Sequence, residues 1–262
     1  MPDSNIDMNL VKDRFEKSFK NSPGAGIVQA GMAKYLVEQL LNHSPIRHYS
    51  RVLEIGCGVN PIAHECCKHL STVTWSAIDI VPVENEFLAC MKEVGISDCN
   101  FIEGDMEITE LPKDQDLIIS NAAVQWAKRP AEFIEHLVSR LATGGVLALA
   151  TFGPNNLYEL RELTGLSLNY LPSSAYPSLL SHAGEVLYLE EMRSVMEFEE
   201  PLDVLKHIRA TGTNSLSKSP WTKSDIKSFV DNYRLRFSDD DKVTLSYYPL
   251  YVIFRKHFKE SA

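Results

Sequence analysis

The residues best suited to chemistry lie in the segment VLEIGCG at positions 52–58, where the acidic Glu54 precedes a tight Gly-x-Gly turn. Glycine lets a backbone bend sharply and lets a ligand approach closely. Glu54 could accept a hydrogen bond from a ligand's amino group, directly or through water. Asn60 and Ala63 stand where later glycines of a fuller motif would lie, but asparagine tolerates the left-handed conformation. We therefore predict a cofactor-binding turn formed by Gly56, Cys57 and Gly58.

A Gly-x-Gly turn alone could be any tight strand-to-helix connection, so the following strand ends decide its meaning. Asp79-Ile80 ends the next predicted strand at the offset where a carboxylate binds a ribose diol, although Asp79 alone could be a helix N-cap. Gly104-Asp105-Met106 ends the third, where Asp can accept from an adenine amino group and Met can pack on the ring. Asn121-Ala122 ends the fourth. Ligands of open α/β sheets bind beyond the carboxyl ends of strands, so these segments should converge.

The elements that must position these residues alternate between strand and helix. Strands are predicted at 51–55, 73–80, 99–103, 116–120 and 146–152, and helices at 61–70, 84–94 and 131–141. Strands such as DLIIS are continuously apolar, which is typical of a parallel sheet covered on both faces. The pattern predicts an α/β, Rossmann-like fold with a mostly parallel, seven-stranded sheet and helices on both faces.

The alternation stops after residue 152. Residues 153–184 should form helices and loops, 186–198 a strand, 201–237 helices with a turn at 211–214 and a helix start at 219–221, and 243–256 a last strand interrupted at Pro249. Two amphipathic stretches, 10–19 and 27–41, open the chain. We predict one domain over 1–262, with a helical lid (1–45), a cofactor-binding core (46–152) and a substrate-binding elaboration with a helical insertion (153–262).

The composition limits the partners and the surroundings that the protein can have. The net charge of −9 disfavours nucleic acid, and no apolar run is long enough to span a membrane. An odd number of cysteines and no apolar leader favour a reducing cytoplasm. His64, Cys66, Cys67 and His69 crowd one predicted helix without a matched second pair, so no metal is expected.

Two classes of nucleotide-like ligand compete for the predicted turn. A nicotinamide cofactor would bring a pyrophosphate to the helix N-terminus, where Glu54 would repel it. The same carboxylate suits the cationic amino group of S-adenosylmethionine, and the spacing to Asp105 fits its adenosine. The residues therefore favour an S-adenosylmethionine-dependent class I methyltransferase. A non-catalytic protein that kept the fold is the alternative, and the set of Glu54, Asp79 and Asp105 argues against it.

Later segments extend this interpretation through a resemblance. SNAAVQW at 120–126 closely resembles the S-N-x-A-V-Q-W run of the malonyl-acyl-carrier-protein O-methyltransferases of biotin synthesis. The resemblance continues through TFGPNNL at 151–157, ELR at 159–161, HIRATGTN at 207–214 and YPLYVI at 248–253, and Phe15 and Gln29 match the family's F-x(13)-Q spacing. It covers nearly the whole chain. The family usually has a tyrosine seven residues after that phenylalanine, over the active site, and here the position is Ser22.

The resemblance implies methyl transfer from S-adenosylmethionine to the free carboxylate of a malonyl thioester, carried by acyl carrier protein or coenzyme A. It implies a site near Gln125 and Trp126, with Arg161 and Arg209 as a carboxylate clamp. Tyr247, Tyr248 and Tyr251 are candidate lining residues. Each arginine could equally form a surface salt bridge, and Trp126 and the tyrosines could belong to the core. Another small carboxylate or metabolite remains an alternative acceptor.

The expected carrier protein is acidic, and the protein itself is expected to be a monomer. Residues 201–262 hold eleven Lys and Arg against seven Asp and Glu, so this region could attract such a partner. The candidate basic patch comprises Lys206, Arg209, Lys218, Lys223 and Lys227. A merely solvated helical surface is the plainer interpretation of the same charges.

Overall fold

The structure, a computed structural model, describes residues 7–21, 26–59, 62–211 and 221–258. A seven-stranded sheet has the order β3-β2-β1-β4-β5-β10-β6. Its strands are β1 (His48–Ile55), β2 (Ser71–Asp79), β3 (Asp98–Glu103), β4 (Gln115–Asn121), β5 (Leu141–Phe152), β6 (Gly184–Glu191) and β10 (Pro249–Lys256). Strands β1 to β5 pair in parallel, and β10 runs antiparallel to both β5 and β6. The predicted fold class is confirmed.

Helices cover both faces of this sheet. They are α1 (Met8–Asn21), α2 (Ile27–His43), α3 (Ala63–Cys66), α4 (Glu84–Glu93), α5 (Pro130–Arg140), α6 (Tyr158–Thr164), α7 (Ala175–Leu180), α8 (Pro201–Ala210) and α9 (Lys223–Phe237), with a 3-10 turn at Val124–Trp126. One apolar cluster contains Leu36 of α2 and Phe87 of α4, and the other contains Phe133 of α5 and Tyr176 of α7. Side chains of β1 alternate between the clusters, with Val52 in the first and Leu53 in the second.

A second, three-stranded sheet, ordered β7-β9-β8, was not predicted. It consists of β7 (Ser194–Phe198), β8 (Ser238–Asp239) and β9 (Lys242–Tyr247). The single strand predicted at 186–198 is therefore wrong, since it is two strands that belong to different sheets. The strand predicted at 243–256 is interrupted next to Pro249 as expected, but its two parts also belong to different sheets. Both segments are rich in apolar residues, and such a composition records burial and not the pairing partner.

The predicted helix at 61–70 is also wrong in length, because α3 covers only Ala63–Cys66 and β2 begins at Ser71. Helices α8 and α9 match the helical prediction for 201–237, and most of the predicted turn at 211–214, like residues 219–220, lies outside the described residues. The predicted helix start at 219–221 is too early, because α9 begins at Lys223 after the capping residue Thr222. Within the described part of the chain, no helix combines the length and the hydropathy that a membrane crossing requires.

Candidate active site

A cavity of about 240 Å³ opens at the carboxyl ends of β1 to β4. Most of the site residues predicted from the sequence line it, and they converge there from four strand ends and the following turns. They are Gly56, Cys57, Gly58, Asp79, Ile80, Asp105, Met106, Asn121, Ala122, Gln125 and Trp126. Three predicted residues, Glu54, Arg161 and Arg209, do not line the cavity.

The Gly-x-Gly turn requires its glycines for two reasons. Gly56 and Gly58 have φ angles of 70° and 55°, in the left-handed region. A Cβ on Gly56 would lie 2.2 Å from the Cβ of Ala123, so the turn also packs too closely for a side chain there. The Gly56 N–H donates to the Ile78 carbonyl (2.8 Å), which fixes the turn on β2.

Two carboxylates on the cavity wall are oriented by backbone donors. The Asp79 oxygens accept from the N–H groups of Gly58 (2.8 Å) and Val81 (2.9 Å), and Asp105 Oδ1 accepts from the Glu107 N–H (3.0 Å). Burial raises the pKa of Asp79, while these backbone bonds oppose the shift. The Asp79 carboxylate is thus held at the ligand side of the Gly-x-Gly turn.

Glu54 stabilises the turn from behind instead of facing the cavity. Its oxygens accept from the Ile62 N–H (2.8 Å) and from Trp75 Nε1 (3.0 Å). Burial raises its pKa to about 7. Because Glu54 lies two residues after Val52, it shares that residue's face of β1, where Trp75 also packs. The predicted direct contact between Glu54 and a ligand amino group is therefore not supported.

Two buried oxygen atoms in the wall lack hydrogen-bond donors among the described residues: Gln29 Oε1 and Asn121 Oδ1. The amide of Asn121 is oriented by its Nδ2, which donates to the Gln29 carbonyl (2.9 Å). Both free oxygens can accept from a bound ligand. Gln29 was missed as a site residue, although its spacing from Phe15 had marked it as part of the resemblance.

Helix α1 and the 3-10 turn give the cavity an aromatic wall. Trp126 is buried and meets Phe15 edge-to-face at a centroid distance of 5.4 Å, and Phe19 packs against Phe15 at 5.8 Å. Gln125 Nε2 donates to the Ala122 carbonyl (2.7 Å), so its amide is already committed to the protein. The position of Ser22, where the family's tyrosine is missing, lies outside the described residues.

Residues from the C-terminal elaboration complete the cavity. Phe152, Asn156, Tyr170, Thr211 and Tyr247 line this part, which we call the acceptor half. The Tyr247 hydroxyl lies 2.7 Å from His207 Nε2, and burial lowers the pKa of His207. Of the other two tyrosines suggested for the lining, neither Tyr248 nor Tyr251 reaches it.

The predicted arginine clamp is not formed in this structure. Arg161 Nη1 donates to the Pro154 carbonyl (2.5 Å), and Arg209 is exposed on α8. The resemblance placed both arginines near the site but did not establish whether they reach its wall. No arginine or lysine lines the cavity within the described ranges, which omit 22–25 and 212–220.

Comparisons with known proteins identify the family. A family profile described as a methyltransferase domain matches residues 25–190. The malonyl-[acyl-carrier protein] O-methyltransferase of Haemophilus influenzae is 32% identical over 253 residues, covering 96% of each chain. That of Chlorobium luteolum is 34% identical over 257 residues, covering 95% of this chain and 96% of its own. The chain belongs to the malonyl-[acyl-carrier protein] O-methyltransferase family. Its methyl donor is S-adenosylmethionine.

Solved structures agree on the fold. A methyltransferase-like protein of Bacillus halodurans superposes with a TM-score of 0.61 at 15% identity, covering 84% of this chain and 98% of that chain. The N-methyltransferase NodS of Bradyrhizobium japonicum, in complex with S-adenosyl-L-homocysteine, superposes with a TM-score of 0.57 at 14% identity, covering 94% and 98%. At such identities the likeness concerns the fold alone, and it confirms the class I methyltransferase architecture.

Proposed function

We propose that this protein transfers a methyl group from S-adenosylmethionine to the free carboxylate of a malonyl thioester on acyl carrier protein. The product is the methyl ester that starts pimeloyl synthesis for biotin. The observation that carries this proposal is a single cavity that joins the ligand-binding strand ends to an acceptor half built by the C-terminal elaboration. Family membership supports the same reaction.

The strand-end half of the cavity fits the methyl donor. S-adenosylmethionine supplies an electrophilic methyl group on a sulfonium. Asp79, Asp105 and Met106 all line this half. In the proposal Asp79 accepts from ribose hydroxyls and Asp105 from an adenine amino group, and Met106 packs on the ring. The unpaired oxygens of Gln29 and Asn121 suit the ammonium group of the methionine moiety.

The acceptor half needs no general base. A carboxylate with a pKa of about 4 is already ionised at neutral pH. The protein must instead desolvate it, align one oxygen with the methyl group and exclude water. Phe15, Phe19 and Trp126 supply the apolar cover for this purpose, and the first two belong to α1, in the segment proposed as a lid.

The partner and the compartment are further parts of the proposal. The carrier-protein thioester is the preferred acceptor over malonyl-CoA, and the protein acts as a monomer in the cytoplasm. The cysteines support a reducing compartment, because all five of them, which lie within the described residues, are free thiols. Burial also raises the pKa of Cys57 well above its usual value, which suits a residue of the turn and not a nucleophile.

The experiment that tests the function compares three acceptors under the same conditions: malonyl carrier protein, malonyl-CoA and free malonate. Radiolabelled methyl transfer should be fastest for malonyl carrier protein and should produce a base-labile ester. Efficient methylation of free malonate or of another small acid, without turnover of either thioester, would establish the alternative acceptor class. Absence of S-adenosylmethionine binding would instead indicate a non-catalytic protein.

A further inference from the structure

The side-chain amide of Asn156 has a fixed orientation in the acceptor half of the cavity. Its Oδ1 accepts from the Tyr248 N–H at 3.1 Å. A backbone N–H can only donate, so the amide oxygen must face Tyr248 and the amide nitrogen must face the other way. That nitrogen, Nδ2, donates to the Tyr170 hydroxyl oxygen at 3.0 Å.

This bond determines where the Tyr170 proton points. The hydroxyl oxygen already accepts from Asn156, so the proton has to find a different acceptor. No group of the described residues accepts it, and the side chain lines the cavity. Tyr247 differs, because His207 Nε2 lies at 2.7 Å and is available as a partner for its hydroxyl. Tyr170 therefore presents a donor that the protein itself leaves unused.

The surroundings keep this donor protonated. Burial raises the pKa of Tyr170 to about 12, and the Asn156 bond and the positive charge of Arg161 only partly oppose the shift. Arg161 donates to the Pro154 carbonyl and does not line the cavity, but its positive charge still acts on the Tyr170 hydroxyl. A neutral O–H backed by a positive charge suits an anionic acceptor.

We propose that the Tyr170 hydroxyl donates a hydrogen bond to the carboxylate of the methyl acceptor and thereby selects the free acid over its ester. The inference rests on the proposed function and names the recognition element that an arginine clamp was expected to supply. A hydrogen bond to an ionised oxygen is about twice as strong as one to a neutral oxygen. The malonyl group is therefore held more firmly than the methyl ester, which favours product release. A neutral donor also leaves the carboxylate more electron-rich than a bidentate arginine would.

The test measures discrimination and not activity alone. Calorimetry on the protein saturated with S-adenosylhomocysteine gives the affinities for malonyl carrier protein and for its methyl ester. Tyr170→Phe should weaken malonyl binding by about 10-fold or more, while ester binding changes by less than about 3-fold. The affinity for S-adenosylhomocysteine should be unchanged. The matched control is Tyr176→Phe, a buried ring of α7 that packs in the same apolar cluster as Phe133 and lies outside the cavity wall, and it should alter neither affinity.

The outcomes separate this inference from the proposed function. If the wild-type protein methylates malonyl carrier protein and Tyr170→Phe keeps the wild-type ratio of the two affinities, the inference is overturned and the function stands. Equal weakening of acid and ester, or loss of S-adenosylhomocysteine binding, also overturns it, since Tyr170 would then only shape the cavity. A wild-type protein that neither binds nor methylates the malonyl thioester overturns both.

Discussion

At the scale of single residues, the cavity is built from groups whose hydrogen bonds to the protein fix what they can offer a ligand. Backbone donors orient Asp79 and Asp105, and the Tyr248 N–H orients Asn156. The types and the order of these residues along the chain predicted the carboxylates. The hydrogen-bond directions of Asn156 and Tyr170 could not be predicted, because they depend on which groups meet across the fold.

The first prediction concerns the proposed ribose contact. Asp79→Ala should weaken S-adenosylmethionine binding by about 1–3 kcal/mol, because it removes a charged acceptor from the cavity wall. Calorimetry on the purified variant measures the loss. Asp231→Ala, on the exposed side of α9, is the control and should bind as the wild type does. Wild-type affinity in a folded Asp79→Ala protein would exclude Asp79 from the ligand site.

The second prediction follows from the buried Glu54. Burial raises its pKa from 4.5 to about 7, so the folded protein holds this proton more tightly than the unfolded chain does. This contribution to stability is complete below about pH 4.5 and is lost as the pH rises to about 7, a difference of about 3 kcal/mol. In Glu54→Gln, which cannot ionise, that part of the decline should disappear.

Urea unfolding of both proteins between pH 5 and pH 8 provides the measurement. The pKa of Asp79 is raised as well, but Asp79 is present in both proteins, so the difference between the two curves isolates Glu54. Parallel curves for the two proteins over this range would show that Glu54 does not titrate there.

At the scale of elements, the parallel strands were easier to predict than the points where the chain passes from one sheet to the other. Strands β1, β2, β4 and β5 contain local apolar runs, and each of β1 to β4 is followed by a turn, so their positions can be predicted without knowing their neighbours. The junction at Tyr248 depends on distant partners: its carbonyl accepts from the Gly153 N–H (2.8 Å), and its N–H donates to Asn156. Only the folded chain brings these groups together, which is why β9 and β10 were predicted as one strand interrupted at Pro249 and not as members of different sheets.

The turn after β1 gives the third prediction. Gly56→Ala should lower stability and weaken S-adenosylmethionine binding together, because the added methyl group meets Ala123 in a left-handed backbone conformation. Gly31→Ala in α2 is the matched control, since a Cβ there has no neighbour within 4 Å and alanine favours helix by about 0.5–1 kcal/mol. Thermal unfolding with and without ligand compares them. A Gly56→Ala protein as stable as the wild type would show that the turn relaxes easily.

At the scale of the whole molecule, two helices, α8 and α9, connect the basic C-terminal region to the cavity. Helix α9 packs against α8, and Ala210 and Thr211 at the end of α8 line the cavity. Lys223 and Lys227 are exposed on α9. Lys206 already pairs with Asp203 at 2.7 Å, and Lys218 lies outside the described residues. The two α9 lysines are therefore the members of the expected patch best suited to a test.

The fourth prediction is that reversing Lys223 and Lys227 to Glu lowers kcat/KM for malonyl carrier protein and spares malonyl-CoA. Exposed charges steer an acidic partner over a Debye length of about 10 Å at 0.1 M salt and about 3 Å at 1 M, so the defect should fade with added salt. The control variant reverses Lys92, near the end of α4, and Lys113, just before β4. It changes the net charge by the same amount, but at the amino ends of the strands, opposite the cavity. If both variants lose the same amount of kcat/KM for malonyl carrier protein, the effect comes from net charge alone and the α9 lysines have no docking role.

The place of β10 between β5 and β6 has a consequence for synthesis of the protein. Strands β1 to β5 are complete by residue 152, but β6 has no neighbour in the sheet other than β10. While the ribosome makes the intervening residues, β5 keeps an open edge of almost continuously buried side chains, and β6 stays unpaired. Open apolar edges invite pairing between chains. A nascent chain stalled before Pro249 would thus be prone to aggregate, although its cofactor-binding strands are already present.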